Sequence, residues 1–274
     1  MEYLFEDWEN IRAGIQQANT LFLFLDYDGT LTSIVSRPEL AVCPLKVKKY
    51  LEELRDVPGV YLAIISGRSV EDVREKVGVS GIIYVGNHGL EIENLAGSYK
   101  KILSQERRTE LERITQHCQI SLKAIPGILF EKKGPILSVH YRNVERRFLA
   151  QISLILEEEL WPWRDHWELA TGKMVLEIRP KMNFSKGGAV REILKYFPSS
   201  GLLTFYVGDD RTDEDAFLAV KGSGISVYVG PGEPPLKADF FVRSPEEVQE
   251  FLFRCYRARR ELGKRFQASF LRRT

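Results

Sequence analysis

Six short runs of apolar residues, each about the length of a β-strand, recur along this 274-residue chain. Because the runs are apolar almost throughout, they are typical of parallel strands that are covered on both faces. Amphipathic stretches that begin after Ser69 and Ser185, both good N-cap residues, lie between runs and predict helices. The alternation of strand and helix predicts an α/β fold with a doubly wound, mostly parallel, Rossmann-like core sheet. The runs occupy residues 21–25, 60–65, 82–85, 202–207, 225–229 and 240–242.

Residues 97–180 interrupt this alternation. Two predicted strand pairs there are joined by tight turns, around Gly134-Pro135 and Thr171-Gly172, and tight hairpins pair strands antiparallel. The segment therefore predicts an inserted α+β domain with the order α-β-β-α-β-β. The core domain would then be discontinuous and comprise residues 1–96 and 181–274. The predicted helices of the insertion span residues 99–118 and 144–160, and its strands span 128–133, 136–142, 167–170 and 173–179.

The strands of the insertion separate an apolar face from a polar one. In the last strand, for example, Leu176 and Ile178 alternate with polar Glu177 and Arg179. We expect the apolar face to carry the two helices. The polar face is either a solvated surface or a ligand-binding surface, and alternation alone does not distinguish the two. The polar side chains that alternation assigns to it are Glu131, Lys133, Ser138, His140, Arg142, Lys173, Glu177 and Arg179.

Charge and cysteine content narrow the class of protein. The chain has 39 Lys and Arg against 38 Asp and Glu, so a net charge of +1 gives no general reason to expect nucleic acid as a partner. Its three cysteines are far apart, which excludes a disulfide framework and a clustered cysteine metal site. No apolar run approaches the roughly 18 residues of a membrane span, and no leader peptide is recognisable. We therefore expect a cytoplasmic protein without a membrane partner.

Two carboxylates follow the first apolar run, in Asp26-Tyr27-Asp28-Gly29-Thr30. Ligands of open α/β sheets bind outside the carboxyl ends of the strands, so this loop lies where chemistry is expected. Two acidic groups directly after a buried strand are costly unless a cation or protons balance them. An acidic turn stabilised by Asp-Gly chemistry is the simpler alternative.

The carboxylate loop resembles motif I of the haloacid dehalogenase (HAD)-type phosphatases. Three further motifs of that superfamily follow in order along the chain. Ser66-Gly67-Arg68-Ser69 at a strand end resembles motif II, Lys186 at a helix start resembles motif III, and residues 208–215 resemble motif IV. Four motifs in this order form a specific signal, although each is weak by itself. The resemblance covers the whole chain and implies that residues 97–180 form a C2-type cap.

The resemblance implies a role for each acidic residue of motif I. Asp26 would be the nucleophile that accepts the phosphoryl group, and an aspartyl-phosphate divides one difficult hydrolysis into two easier steps. Asp28 would protonate the leaving sugar oxygen and then activate water.

Metal-binding and phosphate-binding residues are implied in the same way. A Mg²⁺ ion would be held by Asp26, Asp209 and Asp28, the last through its backbone oxygen, because Mg²⁺ prefers hard oxygen ligands. Asp210 and Asp213 would orient metal-bound water or Lys186. The expected phosphate-binding residues are Ser66, Gly67 and Lys186. By themselves, a serine in a turn and a lysine at a helix end would equally be structural.

Within the superfamily, the chain most resembles the trehalose-6-phosphate phosphatases. The resemblance rests on residues 86–91, 131–133, 138–142, 172–180 and 208–217. It implies that polar residues of the cap bind the sugar, and a neutral disaccharide suits a balanced set of acceptors and donors. His88 would bind phosphate or sugar, or would be a structural histidine in a glycine-flanked turn. The expected substrate-binding residues are Glu131, Lys133, Arg142, Lys173, Glu177, His88 and Arg179.

Other activities are compatible with the same motifs. Phosphatases of sucrose phosphate or mannosyl-3-phosphoglycerate share the core and the cap class, and a sugar phosphomutase also uses an aspartyl-phosphate. A catalytically inactive regulatory domain is a further alternative, but it would not need the acidic pair, Lys186 and Asp209 together. Association with a trehalose-6-phosphate synthase is a further expectation.

Overall fold

The computed structural model describes residues 1–35, 37–93, 104–172, 174–181, 185–231 and 238–271, with the backbone alone at Pro38, Lys133 and 262–271. It divides the chain into two compact units. One, called the core unit here, comprises Met1–Lys100 and Phe184–Thr274, and the other, the inserted unit, comprises Lys101–Asn183. The sequence prediction put these boundaries after residues 96 and 180.

The strands and helices of the described residues are numbered along the chain. The strands are β1 Glu2–Tyr3, β2 Thr20–Asp26, β3 Val60–Ile65, β4 Ile83–Gly86, β5 Glu91–Glu93, β6 Leu129–Lys133, β7 Ile136–His140, β8 Trp167–Gly172, β9 Val175–Pro180, β10 Leu202–Gly208, β11 Gly224–Val229 and β12 Phe240–Val242. The α-helices are α1 Trp8–Gln17, α2 Leu45–Arg55, α3 Val70–Val77, α4 Gln105–Ser121, α5 Leu149–Leu160, α6 Lys186–Leu194, α7 Glu214–Val220 and α8 Pro245–Leu271.

The core unit is built on an eight-stranded sheet with the order β1-β12-β11-β10-β2-β3-β4-β5. Its strand pairs are parallel except for β4 with β5, which is antiparallel. The α/β fold class with a mostly parallel sheet is confirmed. The six apolar runs correspond to β2, β3, β4, β10, β11 and β12, whereas the short edge strands β1 and β5 carry no periodicity that would predict them.

Two apolar clusters, one on each side of this sheet, explain why its strands are apolar throughout. In β2, Leu21, Leu23 and Leu25 belong to a cluster that includes residues of α1, α2, α3 and α8. Phe22 and Phe24, between them in sequence, stack at 4.1 Å and belong to a second cluster with α6 and α7. Because successive side chains of a strand point to opposite faces, both must be apolar when both faces are covered.

The inserted unit contains a four-stranded antiparallel sheet with the order β6-β7-β9-β8. Helices α4 and α5 contribute Ile114 and Leu156 to an apolar cluster with Val139 and Ile178 of the sheet. The element order is the predicted one, but β7 ends at His140 rather than at residue 142, because a turn closes there with Val144 N–H donating to Tyr141 O. The predicted start of the first helix, at residue 99, lies outside the described residues.

Candidate active site

Three neighbouring parallel strands bring the predicted motifs to one edge of the core sheet. β2 ends at Asp26, β3 is followed by Ser66, and β10 is followed by Asp209. The register pairs Leu25 with Val207 of β10 and Asp26 with Ile65 of β3, so the three strands end level with one another. Adjacent strands lie about 4.8 Å apart, and residues far apart in sequence therefore meet at this edge.

A buried lysine links two carboxylates at this edge. Lys186 Nζ donates to Asp26 Oδ1 and to Asp213 Oδ1, both at 2.7 Å. All three side chains are almost fully buried, with 4%, 4% and 0% exposure for Lys186, Asp26 and Asp213. Lys186 is the first residue of α6, and the helix start is fixed by Ser185, whose side chain accepts from Gly188 N–H at 3.0 Å. Burial opposes the charge on Lys186, but the two aspartates outweigh it and raise the pKa of the lysine.

Asp213 has two further hydrogen-bond partners besides Lys186. Its Oδ1 also accepts from the hydroxyl of Tyr206 at 2.6 Å, and its Oδ2 accepts from the backbone N–H of Asp210 at 3.0 Å. Asp210 in turn accepts from the N–H of Arg211 at 2.6 Å, so these two aspartates cap the short helical turn that leads into α7. Tyr206 was not predicted from sequence, and the one available signal was a hydroxyl-bearing side chain inside an apolar strand.

A glycine in the carboxylate loop leaves room for the carboxylate of Asp209. Gly29 has a φ of +85°, and a Cβ at this position would overlap the carboxylate of Asp209. Burial raises the pKa of Asp26 well above its ordinary value, although Lys186 acts in the opposite direction. Burial, and then the charge of Asp213, raise the pKa of Asp209 to about 6. Burial is the largest cause of both pKa shifts, and the neighbouring aspartates add to it.

This donor set fits a divalent cation. Among the described residues, Asp26, Asp209 and Asp213 each offer a carboxylate oxygen within 4.8 Å of the others. Hard oxygen donors of this kind suit Mg²⁺. However, both oxygens of Asp213 already accept hydrogen bonds, which leaves Asp26 and Asp209 as the available carboxylate ligands. The side chain of Asp28, predicted to contribute its backbone oxygen, is not part of this carboxylate cluster.

The Asp28 side chain instead pairs with Arg68. Asp28 Oδ2 accepts from Arg68 Nε at 2.6 Å and Asp28 Oδ1 accepts from Arg68 Nη2 at 2.7 Å. The pair joins motif I to motif II, 40 residues further along the chain. Sequence analysis included Arg68 in motif II but assigned it no function.

The predicted phosphate-binding turn is held by a strained loop. Ser66 is buried, and its hydroxyl accepts from the N–H of Arg68 at 3.1 Å. His88 has a φ of 56°, in the left-handed region, and its N–H donates to Ser66 O at 3.0 Å. Its ring packs so closely on Gly67 that a Cβ there would meet the ring at 2.6 Å. A non-glycine residue in this conformation costs energy and is enriched at functional sites.

The polar face of the inserted unit carries several of the predicted substrate-binding residues. Glu131, Ser138 and Glu177 lie side by side across β6, β7 and β9, and Ser138 Oγ donates to Glu177 Oε1 at 3.3 Å. Glu131 Oε2 lies 2.8 Å from His140 Nε2. On the same face, Arg179 Nε donates to Glu168 Oε1 at 2.6 Å.

The structure does not place three other predicted substrate-binding residues on this face. Arg142 lies in the turn after β7, so strand alternation does not fix the face that it occupies. The side chain of Lys133 and the whole of Lys173 lie outside the described residues.

Comparison with known families identifies the chain. Residues 24–246 match the model of a family described as trehalose-phosphatase. The chain belongs to this family. The matched region contains the carboxylate loop, motifs II to IV and the inserted unit, and solved HAD-like hydrolases share the fold of the core unit.

Individual members of the trehalose-phosphatase family resemble the chain along most of its length. Trehalose-phosphate phosphatase B of Arabidopsis thaliana is 34% identical over 94% of this chain and 71% of its own length. A trehalose-phosphate phosphatase of Mycobacterium marinum is 34% identical over 84% of this chain, but the match covers only 60% of that protein. The solved structure of Aspergillus fumigatus trehalose-6-phosphate phosphatase superposes with a TM-score of 0.70 at 24% identity, covering 94% of this chain and 99% of that one.

The family resemblance was correctly predicted from sequence. In the part of the chain that the structure describes, no helix has the length and apolarity that crossing a membrane requires.

Proposed function

We propose that this chain hydrolyses trehalose 6-phosphate to trehalose and inorganic phosphate through an aspartyl-phosphate on Asp26. The observation that carries the proposal is the buried Asp26 carboxylate, which accepts from Lys186 at the carboxyl end of a central strand in a chain of the trehalose-phosphatase family. A nucleophile in this position is fixed before substrate arrives, which reduces the entropic part of the barrier.

The proposed reaction has two steps. An oxygen of Asp26 attacks phosphorus, the bond from phosphorus to the sugar oxygen breaks, and Asp28 donates a proton to that oxygen so that trehalose leaves neutral. Water then attacks the phosphorus of the aspartyl-phosphate, Asp28 takes a proton from this water, and the Asp26 carboxylate and inorganic phosphate are released. The exchange returns both aspartates to their starting states.

Lys186 has two functions in this scheme. Its ammonium group fixes the carboxylate of Asp26 and places positive charge beside the phosphoryl group. Asp213, which also accepts from Tyr206, holds the lysine in position. Ser66 and the Gly67 amide are the proposed donors to the phosphate oxygens.

Mg²⁺ is the proposed cofactor. Asp26, Asp209 and the backbone oxygen of Asp28 would hold it, and when bound it supplies positive charge that stabilises the phosphoryl oxygens. The pKa values of the Asp26 and Asp209 carboxyl groups are both raised, as expected for acidic ligands of a cation when the cation is absent.

The polar face of the inserted unit is the proposed sugar-binding surface. Glu131 and Glu177 offer acceptors, and Arg142, Arg179, Lys133 and Lys173 are the proposed donors. Acidic and basic groups occur there together, which favours a neutral sugar over a carboxylate-bearing one such as mannosyl-3-phosphoglycerate. A cytoplasmic location and association with a synthase stay predictions from sequence.

A phosphate-release assay over a panel of phosphosugars, with Mg²⁺ and with EDTA, tests the proposal. We expect release from trehalose 6-phosphate that depends on Mg²⁺ and a covalent phospho-adduct on Asp26 in rapidly quenched samples. Faster phosphate release from sucrose phosphate than from trehalose 6-phosphate would identify sucrose phosphate as the substrate instead. Rearranged sugar phosphate without inorganic phosphate would indicate a mutase, and the absence of any release or adduct would contradict the proposal.

A further inference from the structure

The two acidic residues of the carboxylate loop are held by two different cations. Asp26 accepts from Lys186, whereas Asp28 accepts two parallel hydrogen bonds from Arg68, at 2.6 and 2.7 Å. A guanidinium that engages both oxygens of a carboxylate fixes the plane of that group as well as its position. Arg68 therefore sets the orientation of Asp28, independently of Lys186, which binds Asp26.

Arg68 is itself held rigidly. Its Nη1 donates to Asp72 Oδ2 at 2.8 Å, one turn into α3. Its guanidinium carbon lies 5.5 Å from the centre of the ring of Tyr27, a fully buried residue between the two aspartates. The side chain of Arg68 is only 11% exposed. The start of α3 is fixed in turn by Ser69, whose side chain accepts from Asp72 N–H at 3.2 Å. Little of the conformational freedom of Arg68 remains to be lost when it binds Asp28.

A stabilising ion pair is a weak explanation of this arrangement. The side chain of Asp28 is 41% exposed, and partly exposed pairs contribute roughly 0–1 kcal/mol to stability. Positioning has a larger effect on chemistry, because proton transfer requires the carboxyl oxygen to lie within hydrogen-bond reach of the leaving oxygen.

We propose that Arg68 is a positioning residue that orients Asp28 for proton transfer with the leaving sugar oxygen and, later, with water. The proposal rests on the function proposed above. In this proposal Arg68 acts through the two hydrogen bonds that define the plane of the Asp28 carboxyl group. Asp72 is the anchor that holds Arg68 in this position.

The test compares two leaving groups in the Arg68→Ala variant of the full chain. Trehalose leaves as an alcohol and needs a proton from Asp28, whereas nitrophenolate leaves p-nitrophenyl phosphate without one. Single-turnover rates with enzyme in excess report the transfer of the phosphoryl group to Asp26 for each substrate. We expect the release of trehalose to slow about 100-fold and the release of nitrophenol to slow no more than about threefold, because only the first depends on acid catalysis.

Three further variants sharpen this comparison. Asp28→Asn is the reference and should show the same selectivity with a larger loss. Arg68→Lys keeps the charge but not the parallel pair of hydrogen bonds, so it should recover only part of the trehalose rate. Arg74→Ala is the matched control, because Arg74 lies on α3, the helix that carries Asp72, and pairs with Glu93 at 2.8 Å rather than with the carboxylate loop. It should leave both rates unchanged.

Equal losses on both substrates in Arg68→Ala, or no loss on either, would overturn the inference. Equal losses together with a lowered melting temperature would assign Arg68 a structural role instead. Failure of the wild-type chain to release trehalose from its phosphate would contradict the proposed function, and the inference would fall with it. Normal wild-type activity with a non-selective variant would contradict only the inference about Arg68.

Discussion

The core unit and the inserted unit each contain a cluster of charged side chains, but the clusters differ in burial. In the core unit, Asp26, Lys186 and Asp213 are at most 4% exposed. On the polar face of the inserted unit, the side chains of Glu131 and Arg179 are 49% and 46% exposed. Each buried charge needs a fixed partner, whereas solvent can replace the partner of an exposed one.

This difference matches the two tasks proposed for the units. Phosphoryl transfer benefits from charges that are already in place, because a preorganised site does not have to reorient during the reaction. Sugar recognition benefits from weakly held side chains, because substrate hydroxyls can replace their existing hydrogen bonds at little cost. Variants of the two clusters should therefore differ in size of effect and in the property affected.

Replacing the nucleophile should have the largest effect. Asp26→Asn keeps the shape of the side chain but removes its nucleophilic oxygen, so we expect phosphate release to fall by a factor on the order of 10⁴ or more. Steady-state assays with trehalose 6-phosphate measure this fall, and a circular dichroism spectrum like that of the wild type shows that the fold is kept. A variant with full activity would exclude Asp26 as the nucleophile.

Removing a support of the buried cluster should cost stability. Asp213→Ala leaves Tyr206 and the Asp210 N–H without this acceptor and leaves Lys186 with Asp26 alone. Removing one partner of a buried pair costs about 3–5 kcal/mol. Glu168→Ala is the matched control, because it breaks the exposed pair with Arg179 and should cost at most about 1 kcal/mol. Urea denaturation of both variants measures the difference. Equal costs would show that burial does not distinguish the two clusters.

Changes on the polar face should affect the natural substrate selectively. For Glu177→Ala we expect kcat/KM for trehalose 6-phosphate to fall by roughly 10-fold to 200-fold, since one set of sugar contacts is lost. Turnover of p-nitrophenyl phosphate, which has no sugar, should change little. Glu145→Ala provides a control on an exposed residue of the same unit that pairs with Arg147. A similar loss on both substrates would argue against sugar recognition by this face.

The smallest expected effect is a change in the stability of the protein when pH and Mg²⁺ are varied. The folded protein binds the proton of Asp209 more tightly than the unfolded chain does, because its pKa is raised from 3.8 to about 6. In metal-free protein, the stability from this group is present below pH 4 and is lost as the pH rises through 6. Bound Mg²⁺ replaces that proton, so Mg²⁺ should raise the melting temperature more at pH 7.5 than at pH 5.

Thermal unfolding with Mg²⁺ and with EDTA at the two pH values measures this response. A difference of about 3 °C is expected for a change near 1 kcal/mol in a chain of this size. Asp209→Asn should abolish it. An identical Mg²⁺ effect at both pH values in the wild type would contradict the assignment of Asp209 as a ligand.

Much of the fold could be predicted because its signals are local. An apolar run of five to seven residues bounded by turn residues specifies a buried strand wherever it occurs, and β2, β3 and β10 were all found in this way. Helix α1 and the edge strands β1 and β5 were missed. β1 spans two residues and β5 three, and neither is long enough to show a period.

The candidate site was predictable only in part, for the same reason. The motifs that contain Asp26, Ser66, Lys186 and Asp209 resemble those of HAD-type phosphatases, and this resemblance implies phosphoryl chemistry before any contact is known. The hydrogen bonds that support these residues cannot be predicted from the residues next to them in sequence. Tyr206 lies within an apolar strand, and its function becomes visible only when Asp213 accepts its hydroxyl hydrogen at 2.6 Å.

The sequence by itself determined the α/β class, the insertion and the residue types at the strand ends, since each of these depends on periodicity or on a short motif. The tertiary structure decided which basic side chain pairs with which aspartate of the carboxylate loop. Lys186 holds Asp26, and Arg68 holds Asp28. These partners lie 160 and 40 residues apart in sequence, and only the parallel pairing of strands and the packing of helices bring them within hydrogen-bond distance.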